Sequence, residues 1–208
     1  MRHKRSSFRR KGPRREEKPV VLIVCEGEKT ETYYFEQARL IYNLTSVNIK
    51  ILGKQCDPQP LKIVDYAQTM KSKYEKEDKE IDEVWCVFDR DQHHGFDEAL
   101  QLAEKNGFKV ALSNPCFELW YLIHYRDQES EIKNKKVIRE LKREIPNYEK
   151  SDRDIFQKTG DKLPDAIKRA KRLRKLNKEK QKPATSNPST SVDKLIEYFQ
   201  KIDRDSHK

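Results

Sequence analysis

The sequence lacks the features that define several common classes of protein. None of its four cysteines forms a Cys-x-x-Cys pair, and they stand far apart, at positions 25, 56, 86 and 116. Neither a zinc site nor a disulfide framework is therefore expected. No apolar run approaches the ~20 residues that cross a bilayer, and the basic N-terminus has no apolar stretch typical of a signal peptide. We predict a cytoplasmic protein without membrane contact.

Hydrophobic residues are scarce: they make up 35% of the 208 residues, against 38% charged residues. This length suits one compact domain with appendages, and the composition is more polar than that of an average globular chain. The sequence also has no internal repeat. We predict an N-terminal arm at 1–18 that is disordered without a partner, a catalytic domain at 19–125 and a basic helical extension at 126–208.

The formal charge of +10 is concentrated in two segments. Residues 1–18 contain nine Lys or Arg against two Glu, and residues 168–182 contain nine against one, so the rest of the chain sums to −5. Two basic segments around an acidic body suggest a polyanionic partner such as nucleic acid, although basic tails can also serve solubility alone. The candidate contacts are Arg9, Arg10, Lys168, Arg169 and Arg172.

Apolar runs and helical patterns alternate along the first part of the chain. Strands are predicted at 19–25, 47–52, 83–88 and 108–112, with a helix after each, which is typical of an α/β fold with a mostly parallel four-stranded sheet. After residue 126 the strand signal stops. Helices are predicted there at 131–145, 163–180 and 192–202, and the segment 187–190 is expected to cap the last one.

Acidic side chains follow two of these predicted strands. Asp89 and Asp91 are two residues apart after the third strand, so both can face one point, and Glu26 follows the first strand. If the two strands are neighbours, three carboxylates meet at one edge of the sheet, where open α/β sheets bind ligands. Such oxygen ligands suit Mg²⁺ or Mn²⁺. The alternative is a solvated aspartate pair in a turn.

Other polar residues near these acids have two interpretations each. Glu31 is a candidate fourth metal ligand or a helix-dipole partner. Lys29 is a candidate phosphate contact or a solvated lysine. His93 is a candidate general base or an inert loop histidine. We expect the remaining candidates to lie in an otherwise apolar helix, either supporting the site or serving structure or a partner interface; they are Asn114, Glu118 and His124.

Three motifs, taken together and in order, resemble one known family. They are Val-Cys-Glu-Gly-Glu-Lys-Thr-Glu at 24–31, Val-Phe-Asp-Arg-Asp-Gln-His at 87–93, and Ser-Asn-Pro-Cys-Phe-Glu-Leu-Trp-Tyr-Leu-Ile-His at 113–124. The chain resembles the RloB-like family of bacterial proteins. That family in turn is similar to the Toprim superfamily, the metal-binding fold of topoisomerases, bacterial primases and OLD-type nucleases.

The resemblance implies a Toprim-like fold in which Glu26, Asp89 and Asp91 are the metal-site residues. OLD-type nucleases often have a second acid four residues after the first, but here that position is Thr30 and the acid is Glu31. The resemblance further implies a Mg²⁺-dependent nuclease that cuts RNA, including tRNA, or DNA in phage defence by abortive infection. It also implies an AAA-type ATPase as a partner.

Two other functions remain open from the sequence. One is a non-catalytic module that binds nucleic acid or an ATPase and retains the metal pocket. The other is a phosphatase in which the first Asp of the pair is the nucleophile. In phosphatases of that type the Asp-x-Asp motif usually follows the first strand, with a Thr close behind. Here it follows the third strand and precedes Gln-His-His, which argues against this alternative.

Overall fold

The structure, a computed structural model, describes residues 19–44, 46–51, 59–90 and 95–207, with backbone alone at 47–51. The predicted disordered arm at 1–18, with Arg9 and Arg10, lies outside the described residues. So do Asp91 and His93. These predictions are therefore not addressed by the structure.

The described strands form one sheet in the order β2-β1-β3-β4-β5. The first four strands are parallel to their neighbours, and β5 is antiparallel to β4. Their bounds are β1, Val21–Cys25; β2, Val47–Ile51; β3, Glu83–Asp89; β4, Lys109–Asn114; and β5, Ser189–Thr190. The predicted α/β class with a mostly parallel four-stranded sheet is confirmed, and β5 adds a short edge strand.

Helices connect the parallel strands and then continue alone. Their bounds are α1, Thr30–Ile41; α2, Pro60–Lys76; α3, Phe96–Lys105; α4, Glu118–Tyr125; α5, Asn134–Glu144; α6, Ile155–Thr159; α7, Leu163–Glu179; and α8, Val192–Ser206. A 3₁₀ turn at Gly160–Lys162 joins α6 to α7. Within the described ranges, none of these helices has the length and apolar character needed to cross a membrane.

The sheet is buried on both faces because alternate residues of its strands enter two separate cores. In β1, Ile23 and Cys25 join a core with α1 and α4, whereas Leu22 and Val24 join a core with α2 and α3. All five residues of β1 are inaccessible to solvent, which explains its continuous apolar sequence. Two covered faces leave the edges of the sheet as its accessible parts.

The C-terminal helices share the first of these cores. Val137 of α5, Ala170 of α7 and Phe199 of α8 belong to the same hydrophobic cluster as Trp120 of α4. Burial of this apolar surface holds the helices after residue 125 against the α1/α4 face of the sheet. The division into two domains at residue 125 stays a prediction, since shared burial does not show how either part behaves alone.

Two local predictions need correction. Residues 189–190 form β5, because Ser189 and Thr190 pair with Asn114 and Ser113 at the sheet edge, and only the Thr190 hydroxyl also contacts the start of α8, where it accepts from the Val192 N–H at 3.3 Å. For the same reason Asn114 ends β4 and does not belong to the apolar helix, which begins four residues later. An extended conformation at residue 114 also suits its position before Pro115.

Candidate metal and phosphate site

Glu26 and Asp89 meet at the carboxyl edge of the sheet because β1 and β3 are neighbours. The Glu26 N–H donates to the carbonyl oxygen of Val87 at 3.0 Å, which continues the pairing of the two strands past Cys25. The Asp89 N–H then donates to Oε2 of Glu26 at 3.1 Å. The two acids that were predicted to converge are thus linked directly through the Asp89 backbone.

The Asp89 carboxylate has one satisfied oxygen and one unsatisfied oxygen. Oδ2 accepts a hydrogen bond from the Phe117 N–H at 3.1 Å, while Oδ1 is buried without a hydrogen-bond partner among the described residues. Burial, reinforced by the nearby charges of Glu31, Glu26 and Glu118, raises the pKa of Asp89 well above its ordinary value. An ionised Asp89 therefore costs free energy here unless a cation or a proton is added.

Glu31 lies in the first turn of α1 and is only 7% exposed. Burial raises the pKa of Glu31 to about 7, with further increases from Glu26 and Glu118. Its carboxylate lies over Gly27: a Cβ at position 27 would stand 2.9 Å from Cδ of Glu31 and still closer to one of its oxygens. The absence of a side chain at residue 27 therefore provides the space that Glu31 occupies.

Glu118, at the start of α4, is the fourth acid of this group and is 2% exposed. Its Oε1 accepts a hydrogen bond from the Tyr148 hydroxyl at 3.4 Å and lies 3.2 Å from Nζ of Lys150. The charge of Lys150 also lowers the pKa of Glu31. The segment between α5 and α6 thus brings a positive charge to the carboxylates. We call Glu26, Glu31, Asp89 and Glu118 the carboxylate group.

A polar corner lies beside the carboxylate group on the next strands. The Arg90 N–H donates to the Ser113 carbonyl at 2.8 Å, and Nη1 of Arg90 donates to the Thr185 hydroxyl at 3.0 Å. Asn114 donates from Nδ2 to the Thr185 carbonyl at 2.8 Å. The Arg90 guanidinium stacks 4.7 Å from the ring centroid of Phe96. Asn114 and Arg90 thus both contact Thr185, and a supporting role of Asn114 stays a prediction.

Sequence reasoning missed Arg90 and Thr185, although they form part of this corner. The two residues are 95 positions apart, so no local pattern links them. Arg90 had a usable signal, since it stands between the two aspartates of the Asp-Arg-Asp motif. Its guanidinium is a planar donor group suited to phosphate oxygens.

His124 is not brought to the carboxylate group. It lies six residues after Glu118 on α4, which corresponds to about 9 Å along the helix axis. Its ring is buried, Nδ1 pairs with the Trp120 carbonyl oxygen at 2.8 Å, and burial lowers its pKa to about 4. These contacts favour the structural interpretation. Lys29 is exposed immediately before α1.

The predicted nucleic-acid residues of α7 lie beside the same far end of α4. Arg169 donates from Nη1 to the carbonyl oxygens of Ile123 and His124, at 2.9 and 3.0 Å. Arg172 forms a 2.6 Å ion pair with Glu129, and Lys168 is exposed. Arg169 therefore satisfies the terminal carbonyls of α4, whatever else it contacts.

The carboxylate group has the donor chemistry of a Mg²⁺ site. Its ligands are oxygens alone, and the unsatisfied Oδ1 of Asp89 is the kind of atom that a cation would satisfy. Among the residues that the structure describes, no three His, Cys, Asp or Glu side chains have the arrangement of a metal-binding site. The donor types fit the predicted metal, and Asp91, the remaining predicted ligand, lies outside the described ranges.

The fold and site together define a class: an α/β protein with a mostly parallel sheet, covered on both faces, whose acids gather at the carboxyl edge. A family model described as RloB-like protein matches residues 21–199, so the chain belongs to the RloB-like family. This match spans the whole carboxylate group. No curated protein and no solved structure is significantly similar to the chain.

Proposed function

We propose that this protein is a Mg²⁺-dependent nuclease that hydrolyses phosphodiester bonds of RNA, including tRNA, or DNA in bacterial phage defence. Its proposed location is the cytoplasm, and an AAA-type ATPase is a proposed partner. One observation carries the proposal. The buried Oδ1 of Asp89 has no hydrogen-bond partner among the described residues, and it lies in a group of acids whose negative charges repel one another. A divalent cation would relieve both problems.

Glu26, Asp89 and Asp91 are the residues that would hold the metal, and Glu31 is the candidate fourth ligand. A bound Mg²⁺ supplies charge neutralisation at the phosphodiester and lowers the pKa of water. The backbone prepares the ligands for this role, because the Phe117 N–H fixes Oδ2 of Asp89 and the Asp89 N–H fixes Oε2 of Glu26. These two hydrogen bonds orient the carboxylates of Glu26 and Asp89, while the other carboxylates would move to complete a metal site.

Glu31 has the properties of a proton carrier in this site. Burial raises the pKa of Glu31 to about 7 without a bound metal, so a Glu31 that does not itself bind the cation suits a general acid or base near neutral pH. His93 remains the other candidate for that role. Lys150 and Arg90 place positive groups on either side of the acids, and such groups suit an anionic substrate.

Nucleic acid is the proposed substrate because of the charge distribution. The two basic segments, at 1–18 and 168–182, contrast with an acidic remainder, as expected if a long polyanion is held outside a metal-binding centre. A small phosphate ester would need no such extended basic surface. This contrast favours the nuclease over a phosphatase.

The test compares wild type with Asp89→Asn. Total tRNA, single-stranded RNA and plasmid DNA are incubated with each protein and Mg²⁺ or Mn²⁺, and thermal unfolding is followed with and without metal. Wild type should cleave one substrate class and melt at higher temperature with Mg²⁺, while Asp89→Asn should do neither. Asp65→Asn is a matched control, because Asp65 is exposed on α2.

Equal cleavage by Asp89→Asn would contradict the proposed site. If wild type bound nucleic acid but neither cleaved it nor responded to Mg²⁺, with or without an ATPase partner, the non-catalytic binding module would replace the nuclease.

A further inference from the structure

We propose that the nucleic-acid strand leaves the carboxylate group past Arg90 and Thr185 and runs along the exposed lysines at the C-terminal end of α7. This inference rests on the proposed function and gives its substrate a path. The lysines concerned are Lys178, Lys180 and Lys182, which we call the lysine edge. They differ from the α7 residues that the sequence singled out.

Direct contacts connect the lysine edge to the site. Asn177, next to Lys178, donates from Nδ2 to the carbonyl oxygens of Ser186 and Pro188 at 2.8 and 3.2 Å. The same segment carries Thr185, which contacts Arg90 and Asn114 at the end of β4. The C-terminal end of α7 therefore adjoins the polar corner, whereas its N-terminal half adjoins the far end of α4.

The span between the acids and α7 suits a short length of nucleic acid. Asp89 pairs with Ser113, and Ser113 pairs with Thr190 on the next strand. At a strand spacing of about 4.8 Å, Thr190 lies about 10 Å across the sheet from Asp89. Arg174 of α7 donates to the Thr190 carbonyl. About three nucleotides, at the ~3.4 Å spacing of a duplex strand, cover the distance to Arg174, and the lysine edge begins about one helical turn further along α7.

The lysine edge has positive charge that the fold does not use. In the described part of the chain, no carboxylate lies within 4 Å of the three ammonium groups, and all three residues are exposed. Five of the six preceding basic residues of α7 have an acidic partner, and Lys168, at the opposite end of the helix, is the exception among the described residues. The pairs are Arg169–Asp127, Lys171–Glu197, Arg172–Glu129, Arg174–Asp193 and Lys175–Glu179.

Arg90 joins the two parts of the path. Its guanidinium has several donors, of which Nη1 contacts Thr185, and its stacking on Phe96 holds the group in place. A planar donor group on the residue that follows Asp89, held by Thr185 and Phe96, is suited to a phosphate next to the one being cleaved. Arg90 would thus contact the strand between the acids and the lysine edge.

Lysine near a helix C-terminus also complements the helix dipole without any ligand. Helix α2 provides the matched comparison. It is also 17 residues long, and it carries Lys73 and Lys76 in its last turn. That turn leads into the start of β3. It therefore lies at the amino ends of the parallel strands, whereas the acids lie at their carboxyl ends. A dipole effect would be equal in both helices.

The experiment measures binding of a fluorescein-labelled single-stranded RNA and of a labelled DNA duplex by anisotropy. The full chain is used with EDTA, so that no cleavage occurs, over a series of salt concentrations. The double variant Lys178→Gln/Lys182→Gln is compared with Lys73→Gln/Lys76→Gln, which changes the charge equally. Arg90→Gln is a third variant, and thermal unfolding checks that each protein is folded.

The lysine-edge variant should bind roughly tenfold more weakly at physiological salt. For single strands, its negative slope of log affinity against log salt concentration should become shallower by about 1.4. The α2 variant should have the same slope as wild type. Arg90→Gln should also weaken binding. Equal effects of both double variants, or none, would overturn the path while leaving Mg²⁺-dependent cleavage intact. Cleavage that survives Asp89→Asn would overturn the proposed site instead.

Discussion

Two of the regions in which the described residues bury acidic side chains treat the charge in opposite ways. At the junction of α7, β5 and α8, Asp193 is fully buried and receives two hydrogen bonds from Arg174, at 2.6 and 2.7 Å. At the carboxyl edge of the sheet, Glu31 and Asp89 are crowded with other acids, and Oδ1 of Asp89 has no described partner.

We interpret Asp193 as a structural residue and the carboxylate group as the proposed functional site. A buried charge with a complete set of partners ties three elements together and needs nothing from outside. The neighbouring acids raise the pKa of Glu31 and Asp89, so keeping both ionised destabilises the fold, and this is the cost that we propose a bound cation relieves. The predictions below test this contrast through the free energy of unfolding, from the largest expected effect to the smallest.

Arg174→Ala should be the most damaging change. It would leave Asp193 as an unpaired buried charge and remove a donor from the Thr190 carbonyl. Loss of one partner of such a pair costs about 3–5 kcal/mol. Urea denaturation would measure this loss. Lys175→Ala is the control on the next residue, since its exposed side chain should change stability by less than about 0.5 kcal/mol. Similar small losses in both variants would refute the structural role of the pair.

Glu31→Gln should stabilise the metal-free protein at alkaline pH. The folded-state pKa of Glu31 is raised from 4.5 to about 7, so its favourable contribution is complete below pH 4.5 and disappears as the pH rises through about 7. Between acid and mildly alkaline pH, the free energy of unfolding of the variant should therefore rise by about 3 kcal/mol relative to that of wild type.

Denaturation at both pH extremes would measure that gain. Glu36→Gln, at an exposed position on the same helix, serves as the control and should show no such trend. Added Mg²⁺ should reduce the advantage of Glu31→Gln. A variant whose stability follows wild type at every pH would show that Glu31 is not held in a raised-pKa environment.

Gly27→Ala should change stability least but should displace the Glu31 carboxylate. The new Cβ would collide with the end of that flexible side chain, which can turn away. The pKa of Glu31 should then fall, and the pH dependence described above should shrink. Gly160→Ala is the matched control, because nothing lies within 4 Å of its added Cβ. Unchanged pH dependence in Gly27→Ala would mean that Glu31 keeps its place.

Much of the fold could be predicted from the sequence because burial leaves a local record. The strands β1 and β3 read as continuous apolar runs since both of their faces are covered. The position of β5 could not be found, because a two-residue strand has no pattern of its own. Its pairing depends on residues of β4 some 77 positions earlier in the chain.

The site was only partly predictable for a related reason. Glu26 and Asp89 follow apolar strands, so strand adjacency alone brings them together. The burial of Glu31 depends on its side chain lying over Gly27, and the polar corner depends on Thr185 returning to Arg90. Likewise, the charge of α7 was evident from composition, but only the tertiary contacts of Asn177 and Arg169 show which end adjoins the acids.

The late position of β5 also has a consequence for the order in which the protein is made. Synthesis releases the N-terminal strands first, so the acids exist in the nascent chain long before residues 185–191 arrive. Until then Arg90 and Asn114 lack Thr185, and β4 lacks its antiparallel neighbour. We expect the edge of the sheet to be completed last.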